Sequence, residues 1–418
     1  MSKSASSIAA PALPALGAMT HAWREWLVSS ALPLWSEAGF DKERCLYHER
    51  LSWDACPNEM PALRLMVQAR QIATYCRAAL DGLGDRASQA LQCLDMIERL
   101  YCESDGAAGW VFSIAPNGDA ADRTRDLYAH AFVLFAYGWA YRLTGETRYR
   151  QIARRTADQI DKIFKATNAG FLDAWPTVNT ARNQNPHMHL FEAYLVLLEA
   201  TGDDYYFVRL QRLTSLLTDY LIEPSSGLLL EVFDPSWEPA EPPGCNRVEP
   251  GHLFEWSWLL MEYQRIASLG ISQSARLQTI ADHFFRIGFS RGYDPVRCCA
   301  IDAIGEYGNA VDLRSRIWPQ TELLRLLAQR RGANNSISSQ LAELGLKFLE
   351  RYAPGRLKGG WIDRLDEADK PLVDYMPASS FYHIYGAGRE LVLGTENKLT
   401  VGSLLSPPEG RTSKHTSR

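Results

Sequence analysis

A short glycine-led motif recurs along the chain at nearly even spacing, and this repeat limits the possible folds more than any other feature. Successive motifs begin 61, 57, 65 and 67 residues apart. They are GWVFSI at 109, GFLDAW at 170, GLLLEVF at 227, GYDPVR at 292 and GGWIDR at 359. A period near 60 residues is typical of a fold assembled from stacked structural units.

The segments between these motifs have the periodicity of helices, with apolar residues at positions i, i+3 and i+4. Clear examples are residues 127–143, 188–200, 253–266, 321–328 and 338–352. Strand-like runs are confined to the few residues after each glycine, so each unit is predicted to be two helices and a short extended segment. Because a lone helix pair cannot bury both of its faces, neighbouring pairs must pack together. We predict about six pairs that close into an (α/α)6 barrel, with an open solenoid as the alternative.

The predicted barrel is a single domain that spans residues 21–400. Residues 1–20 carry one lysine and an Ala/Leu-rich stretch that Pro11 and Pro14 interrupt, so we expect a disordered tail rather than a signal peptide. Residues 401–418 are expected to form a second disordered tail.

The composition is that of a globular protein without a strong charge bias. Hydrophobic residues make up 46% of the chain and charged residues 22%, with 44 basic against 49 acidic residues. No apolar run reaches the ~18 residues that span a bilayer, so neither nucleic acid nor a membrane is an expected partner. The eight cysteines include no C-x-x-C pair, which favours reduced thiols and a cytoplasmic protein.

Polar segments that often contain proline begin one helix in each unit, where backbone N–H groups lack partners inside the helix. They are RTRDLYAHAF at 123, RNQNPHMHLFEA at 182, NRVEPGHLFEW at 246, RIWPQTE at 316 and YMPASSFYHIYG at 375. We expect these to be the inner helices of the barrel. The repeat then gathers a set of polar and aromatic side chains near one end of the barrel: Tyr128, His189, His252, Trp318 and His383.

Three of the nine histidines, His189, His252 and His383, fall at matching places in three units. Imidazole can accept and donate a proton near neutral pH, which suits general acid–base catalysis. Glu192 and Glu255 each follow a histidine by three residues. On a helix that spacing places carboxylate and imidazole on one face, so the acid could orient the ring or bind a substrate hydroxyl.

Other chemistries have weaker support in this sequence. His187 and His189 resemble a metal-ligand pair, but alternate residues point apart on a helix and no H-E-x-x-H motif is present, so no metal is expected. No G-x-S-x-G, G-x-G-x-x-G or P-loop pattern occurs. A pair of carboxylates for glycoside hydrolysis stays possible, although nothing aligns two acids as the repeat aligns the histidines.

At these residues the sequence resembles the N-acylglucosamine 2-epimerase superfamily, whose members include mannose isomerases, mannose 2-epimerases and cellobiose 2-epimerases. Six pieces carry the resemblance in the family's order. They are RLMVQARQ at 64, DLYAHAFVLFA at 126, NPHMHLFEA at 185, EPGHLFEW at 249, RIWPQTE at 316 and SFYHIYG at 380. The resemblance implies an (α/α)6 barrel with a central sugar pocket and no cofactor or metal.

The resemblance also implies roles for individual residues in proton transfer through a cis-enediolate. His252 and His383 look like the acid–base pair, and His189 looks like an active-site histidine that assists ring opening. Arg64 looks like the cation beside the developing enediolate oxygens, with Arg70 as a further pocket candidate. The positions that look like sugar-binding or supporting residues are Tyr128, Asn185, Glu255, Trp318 and Glu322.

The segment at 231–250 is expected to be a loop over the pocket mouth, where Arg247 meets the substrate. The run MPASSFY before His383 lacks the tryptophan pair of the disaccharide epimerases, which disfavours a cellobiose-type substrate.

We therefore predict an aldose–ketose isomerase that interconverts D-mannose and D-fructose, acting as a monomer or homodimer on a free monosaccharide. The main alternative is a sugar 2-epimerase acting on mannose/glucose, N-acylglucosamine/N-acylmannosamine or cellobiose. A phosphorylated hexose is a third possibility, but no basic cluster near the motifs indicates a phosphate site. A barrel used only for protein interaction is disfavoured by the three aligned histidines.

Overall fold

The computed structural model describes residues 12–177, 179–332 and 335–395, and in these ranges helices alternate between an inner and an outer ring. Helices and strands are numbered separately in chain order. The inner helices are α3 (Leu65–Leu80), α5 (Leu127–Thr144), α7 (Gln184–Thr201), α9 (Pro250–Ile266), α11 (Ile317–Arg330) and α13 (Phe381–Thr395). The outer helices are α1 (Ala12–Trp26), α2 (Leu32–Glu37), α4 (Ala87–Tyr101), α6 (Thr147–Ile163), α8 (Asp204–Leu216), α10 (Ile271–Gly292) and α12 (Asn335–Tyr352). Short π-helical turns, Leu27–Ala31 and Leu217–Leu221, link α1 to α2 and extend α8.

The inner helices form a closed ring. Each one packs against the next inner helix along the chain, and α13 returns to pack on α3. Each inner helix also packs on an outer helix, with α1 covering α13. The predicted (α/α)6 barrel is therefore confirmed, and the open solenoid is excluded.

The burial of the two kinds of helix explains the two layers. In α5 every residue from Ala129 to Ala140 is buried, because this helix is surrounded by protein on all sides. In α6 the buried residues follow a single stripe, with Tyr149, Ala153 and Ile160 inside and charged residues on the opposite face. A helix with one apolar stripe covers a core, and a helix that is apolar all round lies within one.

Short antiparallel strands link the units at the end of the barrel where the inner helices begin. The strands are β1 (Phe40–Asp41), β2 (Leu46–Tyr47), β3 (Arg50–Ser52), β4 (Leu63–Arg64), β5 (Ser113–Ile114), β6 (Ala120–Asp122), β7 (Arg125–Asp126), β8 (Ala174–Trp175), β9 (Arg182–Asn183), β10 (Val232–Phe233), β11 (Arg247–Val248), β12 (Tyr293–Asp294), β13 (Cys299–Ala300), β14 (Ala303–Gly305), β15 (Ala310–Asp312), β16 (Ser315–Arg316), β17 (Arg364–Leu365) and β18 (Tyr375–Pro377).

Each strand that leads into an inner helix pairs with the extended segment of a neighbouring unit. The pairs are β4–β5, β7–β8, β9–β10, β11–β14, β16–β17 and β18–β3. The last pair joins the C-terminal unit to the N-terminal one, with Met376 opposite Leu51. The backbone pairing therefore closes the same ring that the helices close.

Two histidines at the fourth position of their inner helices hold the glycine-led segments in place. His130 Nε2 accepts a hydrogen bond from the Trp110 N–H at 3.1 Å, and His187 Nε2 accepts one from the Phe171 N–H at 3.0 Å. In each ring Nδ1 lies 2.7 and 2.9 Å, respectively, from the carbonyl oxygen four residues earlier. Burial lowers the pKa of both imidazoles to about 4, which keeps them neutral for this task.

Glutamines do the same work in α3 and α11. The Gln68 amide bonds both the N–H and the carbonyl of Tyr47, at 2.7 and 2.8 Å. Gln320 bonds both backbone groups of Ala300 in the same way, at 2.7 and 2.9 Å. The residue at the fourth helical position therefore binds backbone groups of an extended segment in several units. We call this repeated contact the backbone tie, and His187 belongs to it rather than to a metal-ligand pair.

The N-terminal boundary differs from the expectation. Helix α1 begins at Ala12, so residues 12–20 of the expected disordered tail are helical. The reason is tertiary packing: Met19 and Trp23 are fully buried, and the Trp23 indole lies 4.8 Å from the Phe348 ring of α12. Residues 1–11 and 396–418, which hold the rest of the expected tails, lie outside the described residues.

In the described ranges no helix combines the length and apolar character needed to cross a membrane. All eight cysteines lie in these ranges, and each is a free thiol.

Replacing His130 with leucine should leave the buried Trp110 N–H without an acceptor. We expect His130→Leu to lower the free energy of unfolding by about 1–3 kcal/mol. His130→Gln should lose less, because glutamine fills the same position in α3 and α11. Urea denaturation of both variants checks this, and equal losses in the two would contradict the proposed backbone tie.

Candidate active site

A polar cavity of about 610 Å³ opens at the end of the barrel where the inner helices begin. Nine of the ten residues predicted for the site line it: Arg64, Tyr128, Asn185, His189, Arg247, His252, Glu255, Trp318 and His383. The tenth, Glu322, lies behind His383 and contacts its ring. The segment at 231–250 contributes both ends to the lining, as expected for a loop at the mouth.

One position of the repeat supplies four residues of the cavity floor, Arg70, His189, Glu255 and His383, and two residues packed directly against them. The sixth residue of each inner helix lies about one and a half turns below the helix start. In five of the helices this residue is counted from the first residue of the helix. In α13 the count begins at the preceding 3₁₀ turn, Ala378–Ser380. The six residues are Arg70, Phe132, His189, Glu255, Glu322 and His383.

This register corrects one expectation from the sequence. His189 and His383 share the sixth position, but His252 is the third residue of α9. Positions three and six lie on the same helical face, so His252 still points toward the barrel axis, about one turn nearer the mouth.

His383 is held from behind by a carboxylate. Its Nδ1 lies 2.8 Å from Glu322 Oε1, and the residue is 7% exposed. With Nδ1–H donating to Glu322, Nε2 is the nitrogen left for the cavity. Burial lowers the pKa of His383; the Glu322 hydrogen bond offsets this in part, and the positive charge of Arg70 adds to the lowering. His383 is therefore a neutral imidazole near neutral pH, which is the form that accepts a proton.

His252 has a similar partner but the opposite electrostatic balance. Its Nδ1 lies 2.9 Å from Glu231 Oε2 and 3.8 Å from Glu249 Oε2. Burial alone would lower the pKa of His252, but the charge and hydrogen bond of Glu231, with the charge of Glu249, raise it above its usual 6.5. His252 is therefore biased toward the protonated form, which can donate a proton.

Trp318 lies between the two imidazoles. Its indole centroid is 4.8 Å from the His252 ring and 5.7 Å from the His383 ring. The indole packs on the backbone of Gly251, where an added Cβ would lie 2.4 Å from the ring. Any side chain at position 251 would displace the wall that these histidines share.

His189 is the most deeply buried of the three. Burial lowers its pKa to about 3, against a smaller opposing effect from the Glu192 carboxylate. Its ring packs edge-on against Tyr128, with 4.9 Å between centroids. Nδ1 is 3.5 Å from Glu192 and 3.8 Å from Glu255 but has no hydrogen bond within the described residues. His189 is thus a neutral polar group in the floor.

Glu255 is a carboxyl group without a hydrogen-bond partner. Both of its oxygens are buried and unbonded within the described part of the chain. Burial raises its pKa well above the usual range, and the nearby Glu322 and Glu192 carboxylates raise it further. A protonated carboxyl group can donate as well as accept a hydrogen bond, which suits a substrate hydroxyl.

The two arginines named from the sequence differ in position. The Arg64 guanidinium is paired with Glu49 at 2.7 and 2.9 Å, and its side chain is 41% exposed at the rim. Arg70 is 4% exposed and forms no ion pair in the described ranges. It donates to the Tyr128 hydroxyl and, at 3.0 Å, to the Ser379 carbonyl oxygen. Arg70 is therefore the buried cation of the floor.

The sequence analysis missed Glu231, although the repeat contains a signal for it. In several units a carboxylate after the glycine accepts a hydrogen bond from the backbone N–H that leads into the next inner helix. Asp173 binds the Asn183 N–H at 3.0 Å, and Glu231 binds the Glu249 N–H, also at 3.0 Å. Alignment of the acids as well as the histidines would have found Glu231.

It also missed a group of cations at the cavity. Six arginines line it: Arg50, Arg64, Arg70, Arg247, Arg316 and Arg364. They come from four different units, so no basic cluster is visible along the chain. No basic cluster was expected from the sequence near the motifs, but the fold brings these arginines together around the cavity, so that expectation is wrong for the folded protein.

Two groups in the floor have the spacing of a metal site. They are His189–Glu192–Glu255 and Glu255–Glu322–His383. Arg325 already binds Glu192 at 3.1 Å and Glu322 at 3.3 Å. Two of the carboxylates are therefore neutralised by a guanidinium, and a divalent cation would have to compete with it.

Known sequences match this chain along most of its length. It is 32% identical to the mannose-6-phosphate isomerase of Rhizobium meliloti (strain 1021) over 378 residues, which cover 88% of this chain and 95% of that protein. It is 27% identical to the D-mannose isomerase of Thermobifida fusca over 304 residues, covering 67% of this chain and 72% of that one.

The fold matches known structures too. A crystal structure of D-mannose isomerase superposes with a TM-score of 0.77 at 20% identity, over 92% of this chain and 99% of that one. The sequence profile of N-acylglucosamine 2-epimerase matches residues 47–387. The chain therefore belongs to the N-acylglucosamine 2-epimerase family of carbohydrate isomerases and epimerases.

Proposed function

We propose that this enzyme is an aldose–ketose isomerase that interconverts D-mannose and D-fructose through a cis-enediolate. The observation that carries the proposal is the pair His252 and His383. Both imidazoles face one cavity, both have Nδ1 fixed by a carboxylate, and their pKa values are shifted in opposite directions. Groups whose environments push their pKa values apart are suited to act as an acid and a base.

The cavity suits a polyhydroxylated ligand. Several of its buried polar atoms lack partners within the described residues. They are both oxygens of Glu255, Oδ1 of Asn185, Nδ1 of His189 and Nε of Arg70. Buried polar groups rarely stay unpaired, so these atoms call for a ligand or solvent with many donors and acceptors. A sugar supplies both along its whole length.

The proton balance of the isomerisation fits one neutral and one protonated histidine. Neutral His383 removes the C2 proton of the open-chain aldose while protonated His252 donates a proton to O1, which gives the enediol. The O2 proton then passes to His252, and His383 delivers its proton to C1. The product is the ketose, and both imidazoles return to their starting forms.

Arg70 and Tyr128 are proposed to stabilise the developing negative charge on the adjacent oxygens. Arg70 is a buried cation without an ion-pair partner in the described ranges, so its charge remains available to the substrate. Such a preorganised cation acts most strongly in a dry site. Neutral His189 is proposed to assist ring opening through a hydrogen bond to the ring oxygen or the anomeric hydroxyl.

The 2-epimerase alternative uses the same site differently. There the proton must return to C2 from the opposite face, so His252 would have to reach carbon rather than oxygen. The family includes enzymes of this type. The relatives described above are named as isomerases, which supports the isomerase proposal for this chain.

A hexose 6-phosphate is a second candidate substrate because of the cations at the mouth. The Arg50 guanidinium stacks on the Tyr375 ring at 4.3 Å and has no carboxylate partner in the described part of the chain. The Arg364 side chain lines the same cavity and is 55% exposed. Phosphate groups favour arginines of this kind, and one relative is named for a 6-phosphate substrate.

A product assay tests these proposals. EDTA-treated protein should convert D-mannose to D-fructose; glucose as the product would favour the epimerase. If the 6-phosphate is the better substrate, Arg50→Met should raise its KM by about tenfold or more and leave the KM for free mannose unchanged. No turnover of either sugar, or activity that returns only when a metal ion is added, would contradict the proposal.

Removing either imidazole should abolish most of the activity. His252→Ala and His383→Ala should each lower kcat by about 10²–10⁴-fold, because each removes one proton-transfer group. Circular dichroism should remain unchanged. His21→Ala, at an exposed histidine of α1, is the matched control and should keep full activity. A kcat within a few-fold of wild type in either active-site variant would remove that residue from the proposed role.

The pH profile should depend on the carboxylates behind the two rings. Activity should fall at low pH as His383, with its lowered pKa, becomes protonated, and at high pH as His252, with its raised pKa, loses its proton. Glu231→Gln removes the charge that raises the His252 pKa, so the alkaline limb should move to lower pH. Glu322→Gln removes the partner that raises the His383 pKa, so the acid limb should move to lower pH.

Profiles of kcat/KM for the wild type and the two variants check this. Each substitution should move only its own limb. If Glu231→Gln moved the acid limb instead, the proposed assignment of the two histidines would be reversed.

A further inference from the structure

A second cavity, of about 440 Å³, lies at the other end of the barrel, where the later turns of the inner helices end. The floor residues of the active site separate it from the sugar cavity, and two residues of its lining contact that floor: Glu192 lies 3.5 Å from His189, and Arg325 lies 3.3 Å from Glu322. Its walls include the indoles of Trp139 and Trp258. No step of the proposed isomerisation takes place in this cavity, and the family relationship assigns no role to it.

Arg77 is a buried cation in this cavity that forms no ion pair with a carboxylate within the described residues. Its residue is 2% exposed, and Nε and Nη1 have no hydrogen bond within the described residues. Its guanidinium contacts aromatic rings, 5.1 Å from the Trp139 ring and 5.5 Å from the Tyr385 ring. The nearby Asp81 is already engaged, because it binds Arg389 Nε at 2.6 Å. A buried charge without a counter-charge is strongly unfavourable.

Arg325 provides another unbonded donor toward the same space. Its Nε has no partner within the described residues, although its terminal nitrogens bind Glu192 and Glu322. Arg77 Nη1 and Arg325 Nε each lie 3.9 Å from the point where a Cβ on Gly386 would stand. Because residue 386 is glycine, no side chain fills the gap between the two guanidinium groups.

The carboxylates of the cavity form ion pairs with arginines other than Arg77 within the described residues; Glu390 pairs with Arg389 at 3.5 Å and Glu262 with Arg265 at 2.6 Å. Among the described residues that line it are six arginines and four glutamates. Glu199 is bound by Arg142 at 2.5 Å and by Arg265 at 2.8 Å. Asp81 and Glu322 lie just outside the lining and pair with Arg389 and Arg325, whereas Arg77 is a buried lining arginine that no carboxylate binds within the described residues. Burial lowers the pKa of Arg77, and the charges of Arg389 and Arg325 lower it further.

We propose that this second cavity binds a small oxyanion, a carboxylate or phosphate group on a compact molecule, between Arg77 and Arg325. Guanidinium N–H groups donate strongly to such oxygens, and an oxyanion in the gap beside Gly386 would accept from Arg77 Nη1 and Arg325 Nε together. A water molecule could accept hydrogen bonds there but would leave the buried Arg77 charge unneutralised, whereas Arg325 is already paired with Glu192 and Glu322. The indoles of Trp139 and Trp258 form an apolar wall for the rest of the ligand.

Calorimetric titration of the full chain tests the proposal. The probes are sodium phosphate and sodium malonate at constant ionic strength, with sodium chloride as the reference. We expect saturable binding of at least one probe, and the tighter probe identifies the class of the ligand. Arg77→Met should weaken this binding about tenfold or more, because it keeps the aliphatic bulk and removes the charge.

Two control variants locate the binding. Arg50→Met removes a cation of the sugar cavity, and Arg276→Met removes an exposed arginine of α10. Arg276→Met should bind the probe as wild type does, and Arg50→Met should keep the site that Arg77→Met loses, even if it removes a separate phosphate site at the mouth of the sugar cavity. Loss of binding in Arg50→Met with retention in Arg77→Met would place the anion in the sugar cavity and overturn the proposal. If neither sodium phosphate nor sodium malonate binds, the proposal is also overturned.

A direct measurement avoids the risk that Arg77→Met fails to fold. Crystals of the wild-type protein soaked in sodium selenate should show an anomalous difference peak between the Arg77 and Arg325 guanidinium groups. Selenate peaks found only at other places would contradict the proposed site.

Discussion

The closed ring of inner helices determines where the chemistry of this protein can occur. Six helices start at one end of the barrel and place their sixth residues around the same axis, with α13 counted from the 3₁₀ turn that precedes it. Side chains that are far apart in sequence, such as Arg70 and His383, therefore share a floor. The β18–β3 pair fastens the first unit to the last, so this convergence does not depend on helix packing alone.

Beneath that floor, one buried cation balances several acids. Arg325 binds Glu192 and Glu322, and these carboxylates adjoin His189 and His383, respectively. This arrangement allows Glu192 and Glu322 to adjoin two buried histidines without a large unpaired charge. It also leaves Glu255 with a raised pKa, because no cation is bound to this carboxyl group within the described residues. His252 and His383 have opposite protonation preferences for the same reason: different carboxylates and cations lie near the two rings.

Much of the fold could be predicted from the sequence because the repeat is local. Glycine-led motifs and helix starts are visible within each unit, and inner helices α5, α7, α9 and α11 begin within or immediately after the predicted segments. The helical start of α1 could not be predicted, because Met19 and Trp23 are held by α12, which lies more than 300 residues later in the chain.

The same distinction, between local patterns and contacts from distant parts of the chain, applies to the residues of the site. The repeat identified Tyr128, His189, His252, Trp318 and His383, and all five line the cavity. Asn185, Glu322 and Arg70 were identified by the family resemblance instead. Glu231 and Arg50 were missed because they sit on the extended segments, and their contacts come from other units. The sequence could not distinguish the roles of Arg64 and Arg70 either. The difference arises because the Glu49 carboxylate pairs with Arg64 at the rim.

The central claim of this account is that His252 and His383 move protons through an enediolate. Turnover of D-mannose in D2O, followed by proton and deuterium NMR of the sugars, tests it most directly. The account predicts that deuterium from the solvent enters C1 of the ketose and, on the return reaction, C2 of the aldose. Complete retention of the original hydrogen through many turnovers would indicate direct hydride transfer between C2 and C1 and would contradict the claim.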